Sequence, residues 1–295
     1  MQITAAMVKE LRERTGSGMM ECKKALTEAA GDIDAAVEAM RKAGLAKADK
    51  RAGRVAAEGR VIIKVDTGNQ RAVIVEVNCE TDFVARGDDF LDFADTVAMK
   101  ILATDPSDLT VLSGLPLKSD GASVEQVRQA LVAKIGENMS IRRFSVLNSG
   151  GGQFSTYIHG TRIGVLVEMT GGSNELCKDI AMHIAASRPV CVSPDQVPAE
   201  LVAKEREIFT AVSAAETGKP PAIVEKMVAG RMRKFLDEVA LIGQPFVKDP
   251  NLTVGKLLAE HKATVVRFVR YEVGEGIEKK SADFAAEVMA QVRGD

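Results

Sequence analysis

Apolar residues recur along this chain in two rhythms, and the switch between them divides it. Over the first 45 residues they return every three or four positions: Met7, Val8 and Leu11, then Met19, Cys22, Leu26 and Ala29, then Ile33, Val37 and Met40. That period predicts three short amphipathic helices. Thr4 and Asp32 stand where N-caps belong, Gly16-Ser17-Gly18 and Gly31 separate the helices, and Gly44 stops the third. Three helices in so few residues make a very small core, which leaves apolar surface for a partner. Met19 and Met20 are the first candidates; packing inside the small core is the alternative, since methionine suits irregular cores and adaptable surfaces alike. Lys47, Lys50, Arg51 and Arg54 then follow at helical spacing. They predict a solvated basic linker helix with few apolar residues to dock on the rest.

From Gly59 the rhythm is that of strands. Val61-Ile-Ile-Lys-Val65 and Arg71-Ala-Val-Ile-Val-Glu-Val77 flank Asp66-Thr-Gly-Asn-Gln70, a hairpin signal. Phe90, Phe93, Val97 and Ile101 mark a helix over 88–103, with Asp88 and Asp89 at its positive end. Residues 104–122 read as a loop with one short turn, 124–135 as a helix ending at Gly136-Glu137-Asn138, and 141–147 as a strand. After Asn148-Ser-Gly-Gly-Gly152 the arrangement returns, with strands at 153–158 and 162–169 around His159-Gly160-Thr161 and a helix over 174–187. Arg162-Ile-Gly-Val-Leu-Val-Glu168 echoes Arg71 to Glu76, which predicts two related halves, each an antiparallel sheet backed by helices.

Helices at 199–215 and 223–239 carry narrow stripes: Leu201, Ile208, Val212 and Ala215 on one, Val224, Val228, Met232, Phe235 and Val239 on the other. Such stripes fit an antiparallel helical hairpin projecting from the body. A helix at 254–260, a strand at 264–273 and a last helix at 283–292 complete the chain. The expected fold class is α+β. Its expected parts are a three-helix domain with the basic linker (1–54), a first core subdomain (55–147), a second (148–197 with 240–275), a helical hairpin inserted in it (198–239) and a C-terminal helical module (276–295).

Between the strand ending at Val77 and the helix at 88–103 lies Asn78-Cys79-Glu80-Thr81-Asp82-Phe83-Val84-Ala85-Arg86. It sets an acid beside a large aromatic on a strand-to-helix turn. Such a phenylalanine is either tucked under the helix or offered to a partner, and burial is the commoner fate of large apolar side chains.

Composition narrows the function. With 39 Lys and Arg against 41 Asp and Glu, the net charge is −2, so no overall basic field recruits nucleic acid or a membrane surface. RNA contact by the basic linker is the sharper reading of that segment, but no aromatic is interleaved for stacking. The first ten residues lack a signal-peptide pattern, no run of 18 apolar residues occurs, and the four cysteines show no CxxC spacing. A cytoplasmic protein with reduced thiols is expected. No metal box, nucleophile motif, Walker lysine or dinucleotide fingerprint is present, and Gly274-Glu-Gly276 lacks the third glycine of a phosphate loop. His183 and His261 read as structural, and His159 sits in a turn without a nucleophile partner. These absences favour a binding protein over an enzyme, with no cofactor and no metal.

Several stretches together resemble bacterial elongation factor Ts. They are Leu11-Arg-Glu-Arg-Thr-Gly-Ser-Gly-Met-Met20 with Cys22-Lys-Lys-Ala-Leu26, Glu76-Val-Asn-Cys-Glu-Thr-Asp-Phe-Val-Ala85, Ile135-Gly-Glu-Asn138 with Arg142-Arg143, His159-Gly160 with Arg162-Ile-Gly-Val165, and Glu272-Val-Gly-Glu-Gly-Ile-Glu-Lys279. They run from one end of the chain to the other in the family's order.

The resemblance implies a guanine-nucleotide exchange factor for the GTPase elongation factor Tu, acting in translation elongation, with an N-terminal domain like the ubiquitin-associated fold. It implies that Thr81, Asp82, Phe83 and Val84 form the stretch pressed beside the partner's Mg²⁺ and phosphate site, with Phe83 exposed. Leu11, Met19, Met20 and Lys23 would touch the partner's nucleotide domain, as would the C-terminal helix. Ile135 and Gly136 would lie near the Phe83 contact, and His159 would face another domain. The chain itself would bind no nucleotide, no nucleic acid and no membrane, and a 2:2 assembly stays open. A bare adaptor built on the N-terminal helices would leave Thr81-Asp82-Phe83 without a task. A nucleotide-binding enzyme would need a phosphate loop the chain lacks.

Overall fold

A computed structural model describes residues 3–117, 119, 121–215 and 221–278. In chain order the elements are α1 (Ala5–Thr15), α2 (Met19–Glu28), α3 (Ile33–Arg51), β1 (Glu58–Val65), β2 (Arg71–Cys79), α4 (Asp82–Ala85), α5 (Asp88–Thr104), α6 (Leu109–Gly114), α7 (Val124–Ile135) and β3 (Met139–Asn148). There follow β4 (Gln153–His159), β5 (Ile163–Thr170), α8 (Asn174–Ser187), α9 (Ala199–Ala215), α10 (Pro221–Val239), β6 (Pro245–Phe246), β7 (Asp249–Thr253), α11 (Val254–Glu260) and β8 (Thr264–Glu272). The class is α+β. No described helix is long and apolar enough to cross a membrane. The helix expected over 283–292 lies outside the described residues.

The three N-terminal helices close on Leu11, Cys22, Leu26 and Ala36, all fully buried. Thr4 Oγ1 accepts from the Met7 N–H and Asp32 Oδ1 from the Ala35 N–H, so both expected caps form. The third helix does not stop at Gly44 but runs on to Arg51. Glycine is there for packing: a Cβ at Gly44 would stand 3.0 Å from the Ala133 Cβ, so its absence lets α3 lie close against α7. The expectation of an undocked linker is likewise corrected. Ala48 is buried in the apolar cluster of the first sheet, and Arg51 donates to the Val132 carbonyl at 3.3 Å.

Two three-stranded antiparallel sheets, ordered β1-β2-β3 and β4-β5-β8, form the body. Helices α5 and α7 cover the outer face of the first, where Val73, Val75 and Val77 meet Phe90, Phe93 and Val97. Helices α8 and α11 cover the second, where Val165 and Val167 meet Ile180, Ile184 and Leu258. The inner faces meet through Val61, Ile74, Leu166 and Tyr271. The approach is close enough that a Cβ on Gly164 would lie 2.4 Å from Val61 Cγ1.

The echo between the halves becomes a reciprocal clasp. Glu76 and Glu168, both fully buried, sit at bulges of the two central strands, opposite Arg143 and Arg267. Arg143 Nε donates to Glu76 at 2.7 Å and Arg267 Nε to Glu168 at 2.8 Å. Each carboxylate also takes a backbone N–H from the turn after the other sheet's last strand: Gly274 for Glu76 at 2.8 Å, Gly150 for Glu168 at 2.6 Å. Buried charges persist only when paired and hydrogen-bonded in this way. Burial acts to raise the Glu168 carboxyl, but the Gly150 N–H and the Arg267 guanidinium outweigh it and hold it below the usual carboxylate range.

Two local expectations are refined. The stretch expected as a loop contains α6, capped by Asp108 through the Val111 N–H at 2.9 Å. In the hairpin, α10 buries Val228 and Met232 as expected, but α9 turns Ser213 inward and leaves Ile208 and Val212 half exposed. Arg231 donates to Ser213 Oγ at 3.0 Å, so a polar pair joins the apolar residues of the seam.

Candidate functional site

The strand-to-helix turn after β2 is built so that one side chain alone is free. Thr81 caps α4, its Oγ1 accepting from the Val84 N–H at 3.4 Å. The same threonine is clamped by the Glu137 carboxylate, which accepts from its N–H at 3.0 Å and from its hydroxyl at 2.7 Å. At the other end of α4, Arg60 Nε donates to the Ala85 carbonyl at 2.8 Å. Ala85 is buried and Val84 packs against the first sheet's core. Asp82 is held by Arg86 at 2.8 Å. Phe83 has no such tie and is 83% exposed. Phe83 is thus a bare aromatic on a backbone fixed from three sides, not a core residue.

Beneath the turn, Cys79 Sγ donates to the Thr81 carbonyl at 3.1 Å. Burial, with the negative charge of Glu137 and Glu58 nearby, pushes this thiol up to about 12, so it is an inert structural donor. Glu80 reaches across to the turn between α7 and β3, accepting from the Asn138 N–H at 2.6 Å. The Asn138 side chain in turn donates to the carbonyls of Ala52 at 3.3 Å and Arg54 at 2.7 Å, just past the end of α3. Gly136 carries a φ of 93° there, which lets α7 end abruptly and present residues 137 and 138 to the Phe83 turn.

The two halves differ at this point. In the second half Gly171 and Gly172 replace the Phe83 turn, and a Cβ at Gly171 would lie 2.3 Å from the Lys262 carbonyl. That corner is closed by its own chain, whereas the corner at Phe83 faces outward.

The other residues singled out in the sequence scatter over the surface. Met19 and Met20 are 49% and 77% exposed at the start of α2, and Lys23 is exposed one turn on. Leu11 must be corrected: it is fully buried in the small helical core and offers no surface to a partner. Ile135 is half-buried against the first sheet's core. His159 is exposed at the end of β4, its Nδ1 3.2 Å from the Tyr157 hydroxyl. His183 is structural, its Nε2 3.0 Å from Gln244 Oε1 and its Nδ1 accepting from the Val247 N–H at 3.2 Å. Burial holds this imidazole below its usual range despite the Gln244 bond. Glu137 and Asn138, which carry the bracing, were not singled out in the sequence as site residues. Their signal was available in the polar pair that follows a helix-terminating glycine. Among the described residues no cluster of His, Cys, Asp or Glu could hold a metal ion.

Comparison with known proteins points the same way. The family model described as Elongation factor TS matches residues 80–275. The protein named Elongation factor Ts of Methylococcus capsulatus is 64% identical over 293 residues, covering 99% of both chains. Its namesake from Thioalkalivibrio sulfidiphilus is 62% identical over 295 residues and covers both chains fully. That from Alkalilimnicola ehrlichii is 57% identical over 294 residues. With the exposed aromatic on its braced turn inside the matched region, and full-length relatives of one name, the chain belongs to the elongation factor Ts family.

Proposed function

We propose that this chain is a guanine-nucleotide exchange factor that binds elongation factor Tu in its GDP form and promotes GDP release, so that GTP can rebind. It performs no bond chemistry and binds no nucleotide itself. The observation that carries the reading is Phe83, 83% exposed on a turn whose backbone is held by Glu137 and Arg60.

GDP in such GTPases is held by Mg²⁺ and by backbone N–H groups around its phosphates. An aromatic wedge shifts the packed elements that carry those groups, and the Asp82 carboxylate beside it disfavours the old metal geometry. Thr81 and Val84 hold the wedge, one hydrogen-bonded and one packed, and Ile135 and Gly136 shape the neighbouring corner. Met19, Met20 and Lys23 contact the same nucleotide domain, and His159 a second domain of the partner. In this reading the parts are a three-helix domain with its linker (1–54), two core subdomains (55–147, and 148–197 with 240–275), the hairpin 198–239 and a C-terminal module (276–295). Because coupling is reciprocal, GDP weakens factor binding by the factor by which the protein weakens GDP binding.

The test is release of a fluorescent GDP analogue from purified elongation factor Tu. Acceleration by this protein supports the reading. A folded protein with no effect on release refutes it.

A further inference from the structure

The Phe83 turn and the N-terminal helices meet at a polar corner made by Glu137 and Asn138. Asn138 lies between them, 6% exposed, and its donors reach toward both sides. Its side-chain amide donates twice to the chain leaving α3, at Ala52 and Arg54, while its backbone N–H donates to Glu80, two residues from Asp82. The neighbouring Glu137 takes both the N–H and the hydroxyl of Thr81. Arg54 adds an ion pair to Glu80 at 3.6 Å. Along the same seam α3 rests on α7 at Gly44 and Arg51.

We infer that Glu137 and Asn138 form a positioning joint, which sets the N-terminal helices and the Phe83 turn at one fixed relation so that Met20 and Phe83 meet the partner together. This deepens the exchange reading and rests on it. The physical argument is one of effective concentration: two contacts on a rigid frame reinforce each other, and the reinforcement falls when the frame loosens. The acceptors at Ala52 and Arg54 are backbone carbonyls, so an amide with two donors reaches both where a hydroxyl reaches one. The joint residues touch no partner themselves. They act through the two elements they hold.

The experiment is a double-mutant cycle of Met20→Ala and Phe83→Ala on the half-saturating concentration for GDP release from elongation factor Tu. It is run in the wild-type background and again with Asn138→Ala. Met20 and Phe83 should be coupled in the first background and uncoupled in the second, a change in coupling on the order of tenfold for the two side-chain hydrogen bonds that Asn138→Ala removes. A residue that merely supported the fold would lower activity in every member of the cycle and leave the coupling intact, which would overturn the inference. Absence of coupling in the wild-type background would overturn it too. Asn138→Ser, which keeps one donor, should restore part of the coupling and guards against a variant that fails to fold. Tryptic cleavage after Arg54 in the free protein tests the joint without the partner. Faster cleavage in Asn138→Ala supports the joint even where no exchange is seen, and unchanged cleavage counts against it.

Discussion

Replacing Phe83 with alanine should separate folding from function, and the size of each effect follows from the surface the ring shows. At 83% exposure the side chain gives the folded body almost no buried contact. Its loss should therefore change stability by no more than about 0.5 kcal/mol, or about 2 °C in melting temperature for a chain of this size. In the proposed complex the same ring leaves water. An aromatic side chain buries roughly 150–250 Å², so four-fifths of it at about 25 cal/mol per Å² gives roughly 3–5 kcal/mol as an upper bound. Contacts that persist after truncation reduce this to about 2–4 kcal/mol, the range of interface hot spots. That corresponds to a loss of roughly thirty- to several-hundredfold in the efficiency of exchange. The assay is release of a fluorescent GDP analogue from elongation factor Tu at several factor concentrations, beside a thermal melt of the free variant. A drop of more than about 5 °C in the melt would mean that Phe83 is a core residue after all. A variant that melts as the wild type and exchanges within about twofold of it would refute the wedge.

Other substitutions test the frame. Gly164→Ala should cost about 1–3 kcal/mol in denaturant unfolding, because the new Cβ meets Val61 between the sheets at 2.4 Å. Gly230→Ala, on α10 with open space around it, should instead stabilise by about 0.5–1 kcal/mol; equal effects would contradict the close approach of the two sheets. Ala48→Glu should destabilise the body by at least about 2 kcal/mol by burying a carboxylate, while Lys50→Glu on the exposed side of α3 stays within about 0.5 kcal/mol. A neutral Ala48→Glu would restore the picture of an undocked linker. For pH, the folded imidazole of His183 is held below its usual value, so below about pH 6.5 the unfolded chain binds the proton and the folded chain does not. Stability should fall as pH drops from 6.5 toward the folded pKa, and His183→Gln should flatten that slope in thermal melts. An unchanged slope would place the proton uptake elsewhere.

Much of the local structure was legible because local signals agreed with the tertiary outcome. The hairpin at 66–70, the helices at 124–135 and 174–187 and the strand at 264–272 obey periodicity, caps and turn residues that act within a few positions of one another. The family resemblance was equally a matter of contiguous residues. What the sequence left open at Phe83 was a question of burial. A phenylalanine beside a helix start has the same local propensity whether it faces the core or water, and only Thr81, Glu137, Arg60 and the buried Ala85 decide which way the turn is rolled. Glu137 is 56 residues away from Thr81, a separation no periodicity spans. Gly44 misled for a related reason. Glycine ends helices when the backbone needs its freedom, but here it continues one because α7 lies where its side chain would be. The reciprocal pairing of Glu76 and Glu168 was visible only as an echo of two strands. That each carboxylate caps a turn of the other sheet is decided by how two sheets pack face to face, and a chain read one residue at a time carries no measure of that distance.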